Sequence, residues 1–342
     1  MISSVNLLKN EESVFIMKTI FSIVIVLISM QAVTSQSLEI YDGFISNLAV
    51  TVFLTTDSSN VSGYYVYKKY GQPIPLEGEV LNGRYSVREY KTKNGRRDMQ
   101  ECAKLLFNKN SQSNGQWISP GKSFPLSLQK RNLHFGWGIL SNHMELNYKT
   151  PGRGGMNCPI STSIVYPLDN RLLFNNLSSE IFGIRSRYDN IWEYYKQYVL
   201  KFYADYLNNL TETSPGGWYL NMYGRVVFLS DSLLSYKTSG YAMSGGAHGQ
   251  PLENYYVFDL WKFNRITFNN IFRQNSELAL AKIISEKDNR EHSVESIMKN
   301  LDNFYLTDKG IGFVFNPYDI DCYGCGTFEF FINFNEIRDL LK

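Results

Sequence analysis

The chain has 342 residues, 34 Lys and Arg against 32 Asp and Glu, and a formal charge of +2. With acids and bases interspersed, it carries neither a polybasic nucleic-acid surface nor an acidic tail, so charge alone names no partner. The length suits two ordinary domains, each able to bury its own core.

The first local signal is MKTIFSIVIVLISMQAVTSQ, starting at Met17, in which Lys18 precedes an apolar run from Ile20 to Met30 and small residues follow at Val33 and Ser35. This is the pattern of a secretory signal peptide, too short to span a bilayer comfortably, and it predicts residues 1–35 as the export segment with no retained membrane helix. The mixed, acidic stretch ahead of it points to translation starting at Met17. No cysteine follows the apolar run, which argues against a lipid anchor. The expected location is periplasmic or extracellular.

Residues 36–130 alternate in short apolar segments punctuated by turn residues, the pattern of an all-β, barrel-like domain of six to eight strands. LAVTVFLTTDSSNVSGYYVYKKYG reads as two strands around Asp57–Asn60, and Asn82-Gly83 is a strong hairpin signal. Tyr64, Tyr65, Tyr67 and Tyr70 fit core packing better than an exposed binding platform. From residue 131 to 342 the pattern changes to an α+β layer, an antiparallel sheet with helices packed on one face. LHFGWGILSNHMELNYK and the glycine-rich turn TPGRGGMNCP open it. An amphipathic helix is predicted over Tyr188–Leu210, with apolar positions at 191, 195, 198, 202 and 206. Strands follow on either side of Ser230–Ser232, then another with a turn at Lys262–Asn264. Helix is expected from Ser276 to Leu301 with a break near Asp288–Arg290, and a last short helix from Glu336 capped by Asn335.

Chemistry is sparse. Ala242-Met243-Ser244-Gly245-Gly246, with His248 close behind, is a variant of the nucleophile elbow, and Glu253 and Asp259 lie nearby. An elbow needs a helix after its serine, whereas Gly245, Gly246, Gly249 and Pro251 oppose one. An envelope hydrolase using Ser244 and His248 therefore stands as the alternative reading. His134, His143, His248 and His292 have no metal-ligand spacing, GRGG at Gly152 lacks a P-loop Lys and helix, and Glu193, Asp189, Asp231, Asp259 and Asp319 have no separation set by sequence. No metal and no cofactor are expected. Four cysteines, Cys102, Cys158, Cys322 and Cys325, allow three pairings. Cys322 and Cys325 form a C-x-x-C that leads into a strand rather than a helix, which favours a structural disulfide or unpaired thiols over redox or metal chemistry.

SGYAMSGGAHGQPLENYYVFDLWKFNRITFNNIF and FYLTDKGIGFVFNPYDIDCYGCGTFEFFINFNEIRDLL resemble the C-terminal domain shared by the anti-sigma factor RsiV and the peptidoglycan deacetylase PdaC. The shared pattern falls on Tyr241, Gly245–Gly249, Tyr256–Leu260, Phe313–Ile320 and Thr327–Leu341. The resemblance implies an extracellular recognition domain without the deacetylase's catalytic domain, with lysozyme or peptidoglycan as candidate partners. It implies Tyr241, Ser244, Gly245, Gly246, His248 and Gly249 as the signature loop. The family usually has no cysteines at the positions of Cys322 and Cys325, so that pair is a local feature. The preceding β-rich unit resembles small barrel domains of exported bacterial proteins. The leading expectation is an exported, non-catalytic envelope protein that binds a partner.

Overall fold

A computed structural model describes residues 36–93, 96–133, 135–148, 156–209, 217–245, 248–288, 290 and 292–342. The expected export segment, His134, most of the glycine-rich turn after Tyr148 and Gly246 of the signature loop lie outside the described residues. The rest forms one compact unit.

Eight strands run in sequence as an antiparallel ring: β1 (Gln36–Ile45), β2 (Leu48–Asp57), β3 (Asn60–Tyr67), β4 (Pro73–Leu81), β5 (Arg84–Lys93), β6 (Arg96–Asn108), β7 (Gln112–Ser119) and β8 (Lys122–Lys130). Each pairs with the next, and β8 returns to β1 with Lys130 opposite Tyr41, so the barrel closes. Closure satisfies the backbone groups that an edge would leave open. Alternation sends Tyr41, Val52, Tyr65, Tyr85, Leu105 and Phe107 inward. Glu39 is buried with them, accepting hydrogen bonds from Tyr41 (2.9 Å), Tyr85 and Lys130 (2.6 Å). Burial alone would raise its pKa, but those donors and the Lys109 charge hold it below the usual carboxylate range.

A second sheet follows in the order β14-β13-β12-β11-β10-β9, from β9 (Trp137–Tyr148), β10 (Met156–Pro167), β11 (Tyr219–Leu229), β12 (Leu233–Met243), β13 (Gln250–Asp259) and β14 (Arg265–Ile266). Its neighbours are antiparallel except β10 and β11, which run parallel because α1 (Arg171–Phe182) and α2 (Ile191–Asn209) provide the long crossover a parallel pair needs. Helix α1 starts where the Asn170 side chain accepts the Leu173 N–H and ends at Gly183, φ 64°. Helix α2 buries Ile191, Tyr194, Tyr195, Val199, Tyr203 and Tyr206, a face turned slightly from the expected stripe, with Tyr198 and Phe202 only half-buried. Among the described residues no helix is long and apolar enough to cross a membrane.

The chain then packs α3 (Phe268–Ile271), α4 (Glu277–Lys287) and α5 (Val294–Lys299) against β15 (Phe304–Leu306), β16 (Gly310–Phe315) and β17 (Phe328–Asn333). These last strands extend the barrel sheet, since Phe328 of β17 pairs with Arg96 of β6. The terminal helix expected from Glu336 is instead two short 3-10 turns, Phe334–Glu336 and Arg338–Leu340. Asn333, not Asn335, caps the first, because Glu336 reaches back to the Asn333 N–H at 2.8 Å.

Barrel and second sheet share a seam. Phe53 and Phe228 approach to 6.0 Å between ring centroids, and Tyr64, Val227, Tyr255, Tyr305 and Val314 form one buried cluster. Full burial of such a side chain contributes about 2 kcal/mol. Tyr64 therefore belongs to the seam and Tyr65 to the barrel interior, whereas Tyr70 is 52% exposed.

Candidate functional site

The signature loop joins β12 to β13, with the last pair at Ala242 and Gln250. Gly245 has φ 100°, a conformation that favours glycine. Gly249 is glycine for a different reason: a Cβ there would stand 2.2 Å from the Tyr241 ring and 2.7 Å from the Ala242 carbonyl oxygen. The closeness is used, because the Gly249 N–H donates to the Tyr241 hydroxyl at 3.1 Å and the Tyr323 hydroxyl donates to the Gly249 carbonyl at 2.7 Å. His248 stacks on Tyr323 with centroids 3.9 Å apart. Its Nδ1 lies 3.1 Å from the Gly249 carbonyl oxygen and its Nε2 3.4 Å from the Tyr318 hydroxyl. Tyr219 stacks on Tyr241 at 5.5 Å. A hydrogen bond between the hydroxyls pushes Tyr323 up to about 12 and pulls Tyr241 below its ordinary value.

Tyr318 is 60% exposed and holds φ 76°, an uncommon conformation for a bulky residue. Such strain concentrates at functional sites. Ser244 is exposed, and among the described residues no hydrogen bond joins it to His248. The loop residues thus meet an aromatic cluster, not a serine–histidine pair. Sequence reasoning missed Tyr318 and Tyr323, which reach the loop from the segment between β16 and β17.

That segment also carries the C-x-x-C. Cys322 and Cys325 are free thiols, and the Asp321 carboxylate sits beside them. Of the other two cysteines, Cys158 is buried in β10, which pushes its thiol up to about 12, and Cys102 lies 3.3 Å from the Glu89 carboxylate.

Next to the loop, a groove of about 1010 Å³ lies between the barrel and the second sheet. The barrel contributes Asp57, Ser62, Tyr64, Glu77, Glu79, Arg88 and Tyr90; the second sheet contributes Ser163, Tyr223, Arg225, Lys237, Ser239 and Glu253. Gly326 and Thr327, just after the C-x-x-C, close one end. Arg225 spans the layers: its guanidinium donates to the Ser62 hydroxyl at 2.8 Å and to the Ser163 carbonyl at 2.7 Å. Desolvation pushes its pKa below the ordinary guanidinium value. Lys237 donates to Glu253 at 2.7 Å, a pair largely shielded from water. Tyr223 stays 41% exposed. A large concave site with rings and a few oriented polar groups at a layer interface is where ligands commonly bind.

Among the solved structures to which the chain is similar are two, each covered over 94% of its length by 61% of this chain. One is a DUF3298 family member from Bacteroides fragilis, with 21% identity and a TM-score of 0.49. The other is a DUF3298 family protein from Pseudomonas aeruginosa, with 16% identity and a TM-score of 0.44. No curated protein matches the sequence significantly. A family model described as protein of unknown function (DUF3298) matches residues 262–335, the stretch from within the β13–β14 turn through β17.

Proposed function

We propose that this is an exported envelope protein that binds cell-wall glycan without chemically altering it, using the groove between barrel and second sheet and the aromatic tip beside it. The observation that carries this reading is the groove itself, which mixes acids, bases, hydroxyls and tyrosine rings around a volume of about 1010 Å³. Sugar hydroxyls pair with such charged and polar groups, and rings such as Tyr223 offer an apolar face to a pyranose. The export signal and the resemblance to the shared RsiV and PdaC domain support the same setting, with lysozyme as a second candidate partner. The hydrolase alternative draws no support from His248, whose ring nitrogens face Gly249 and Tyr318.

Pull-down with purified peptidoglycan, with lysozyme as a parallel arm, tests the reading. Wild-type protein is expected to bind peptidoglycan, and Tyr223→Ala, a change at an exposed ring, to weaken binding about 5-fold, the effect of losing roughly 1 kcal/mol of ring contact. Folded protein that stays in solution when peptidoglycan is sedimented sinks the proposal, and capture by lysozyme alone transfers the role to a protein partner. Turnover of ester or glycan substrates that is abolished by Ser244→Ala and by His248→Ala establishes the hydrolase instead.

A further inference from the structure

Three donor-bearing side chains meet in the turn before β17. Asp321, Cys322 and Cys325 place a carboxylate oxygen and two thiol sulfurs within 4.8 Å of one another. Donors bound to one tetrahedral ion at about 2.0–2.3 Å stand roughly 3–4 Å apart, so small side-chain rotations suffice to enclose it. The backbone is already folded for this. Tyr323–Cys325 is a 3-10 turn in which the Cys325 N–H donates to the Cys322 carbonyl at 3.0 Å, and Gly326 leaves it at φ 79°.

Asp321 is not a loose surface acid. One oxygen accepts the Cys322 N–H at 2.7 Å; the other lies 3.0 Å from Nε2 of His292 and 3.6 Å from the Arg290 guanidinium. His292 is buried, packs edge-on against Phe328, and is held through Nδ1 by the fully buried Asp288 carboxylate at 2.5 Å. Asp288 is fixed in turn by the backbone N–H groups of Arg290 and His292. A chain of carboxylate, imidazole and carboxylate therefore runs from the core to the donor cluster, the kind of outer support that orients metal ligands. Sulfur donors select a soft or borderline ion, and three protein donors leave a fourth position for water.

We propose that Asp321, Cys322 and Cys325 chelate a divalent cation of the zinc class, and that the ion locks Tyr323 against the His248 loop. Binding forms two metal–sulfur bonds and one metal–oxygen bond and releases both thiol protons to solvent, so affinity rises with pH. Tyr323 lies between the two cysteines, and its contacts with His248 and Gly249 couple the ion to the loop.

The test uses the full chain, reduced and kept free of oxygen, titrated with cobalt(II) as the spectroscopic probe and then with zinc. One equivalent of cobalt is expected to give a sulfur-to-metal charge-transfer band that zinc abolishes. Cys322→Ser, an exposed change, should lose the band while Cys102→Ser keeps it, and His292→Gln should weaken binding about 10-fold as loss of an outer support does. Zinc should also slow amide exchange at Gly249. Should His292→Gln not fold, Cys322→Ser still decides. Absence of the band in reduced protein, or its persistence in the Cys322→Ser and Cys325→Ser double variant, overturns the metal site. Unchanged exchange at Gly249 overturns the locking role.

Discussion

At Gly249 a hydrogen atom takes the place of any side chain because Tyr241 occupies the space a Cβ needs. Gly249→Ala forces the Tyr241 ring or the β12 backbone to move, and overpacking of this kind costs about 1–3 kcal/mol. Urea unfolding should show that loss, together with release of the Tyr323 hydroxyl from the Gly249 carbonyl; a variant as stable as the parent contradicts the close-approach argument. The motif was visible in the sequence. The partners of His248 were not. Tyr318 and Tyr323 reach it across a change of strand, and tyrosines are so common in this chain that none stands out. Asp321 was passed over for a related reason: attention to histidine spacing leaves out a carboxylate adjacent to a cysteine.

Turn chemistry made several elements legible. Asn82 and Gly83 both hold positive φ, 50° and 71°, the pair of conformations that a two-residue hairpin needs between twisted strands. A Cβ on Gly83 meets nothing within 4 Å, so Gly83→Ala isolates the backbone cost, about 1 kcal/mol. Thermal unfolding should register that decrement, and an unchanged midpoint argues against the left-handed turn. The α2 helix was equally plain from its apolar spacing. Helix α1 was missed although Asn170 and Gly183 punctuate it, because Asn175, Asn176, Ser178 and Ser179 break its apolar stripe. Three of these polar side chains bond within the structure: Asn175 accepts from the Tyr194 hydroxyl, Asn176 donates to the Phe263 carbonyl and Ser179 to the Ile184 carbonyl, so their placement follows from contacts that local patterning does not contain. The parallel pairing of β10 and β11 was hidden too, since alternation marks a strand without naming its neighbour.

On the scale of the whole molecule, the groove could not be read from sequence because its two walls belong to different layers. One clip between those layers is open to titration. Arg131, the residue after β8, binds Asp42 of β1 through two nitrogens at 2.7 and 2.8 Å and donates a third hydrogen bond to the Leu229 carbonyl of β11. Burial alone would raise the Asp42 pKa, yet Arg131, Thr51 and Lys68 bring it down to about 2. A depressed carboxyl adds stability that is complete above its unfolded value and fades as pH falls from about 4 to about 2. With allowance for solvent screening, Asp42→Asn should cost about 1 kcal/mol near neutral pH and almost nothing near pH 2. A penalty that stays constant across that range contradicts the assignment. The pairing of Phe328 with Arg96 has a kinetic meaning as well. It joins positions about 230 residues apart, and contacts of such long separation fold slowly because a large loop must close before they form. The extended barrel sheet is therefore complete only after nearly the whole chain has emerged.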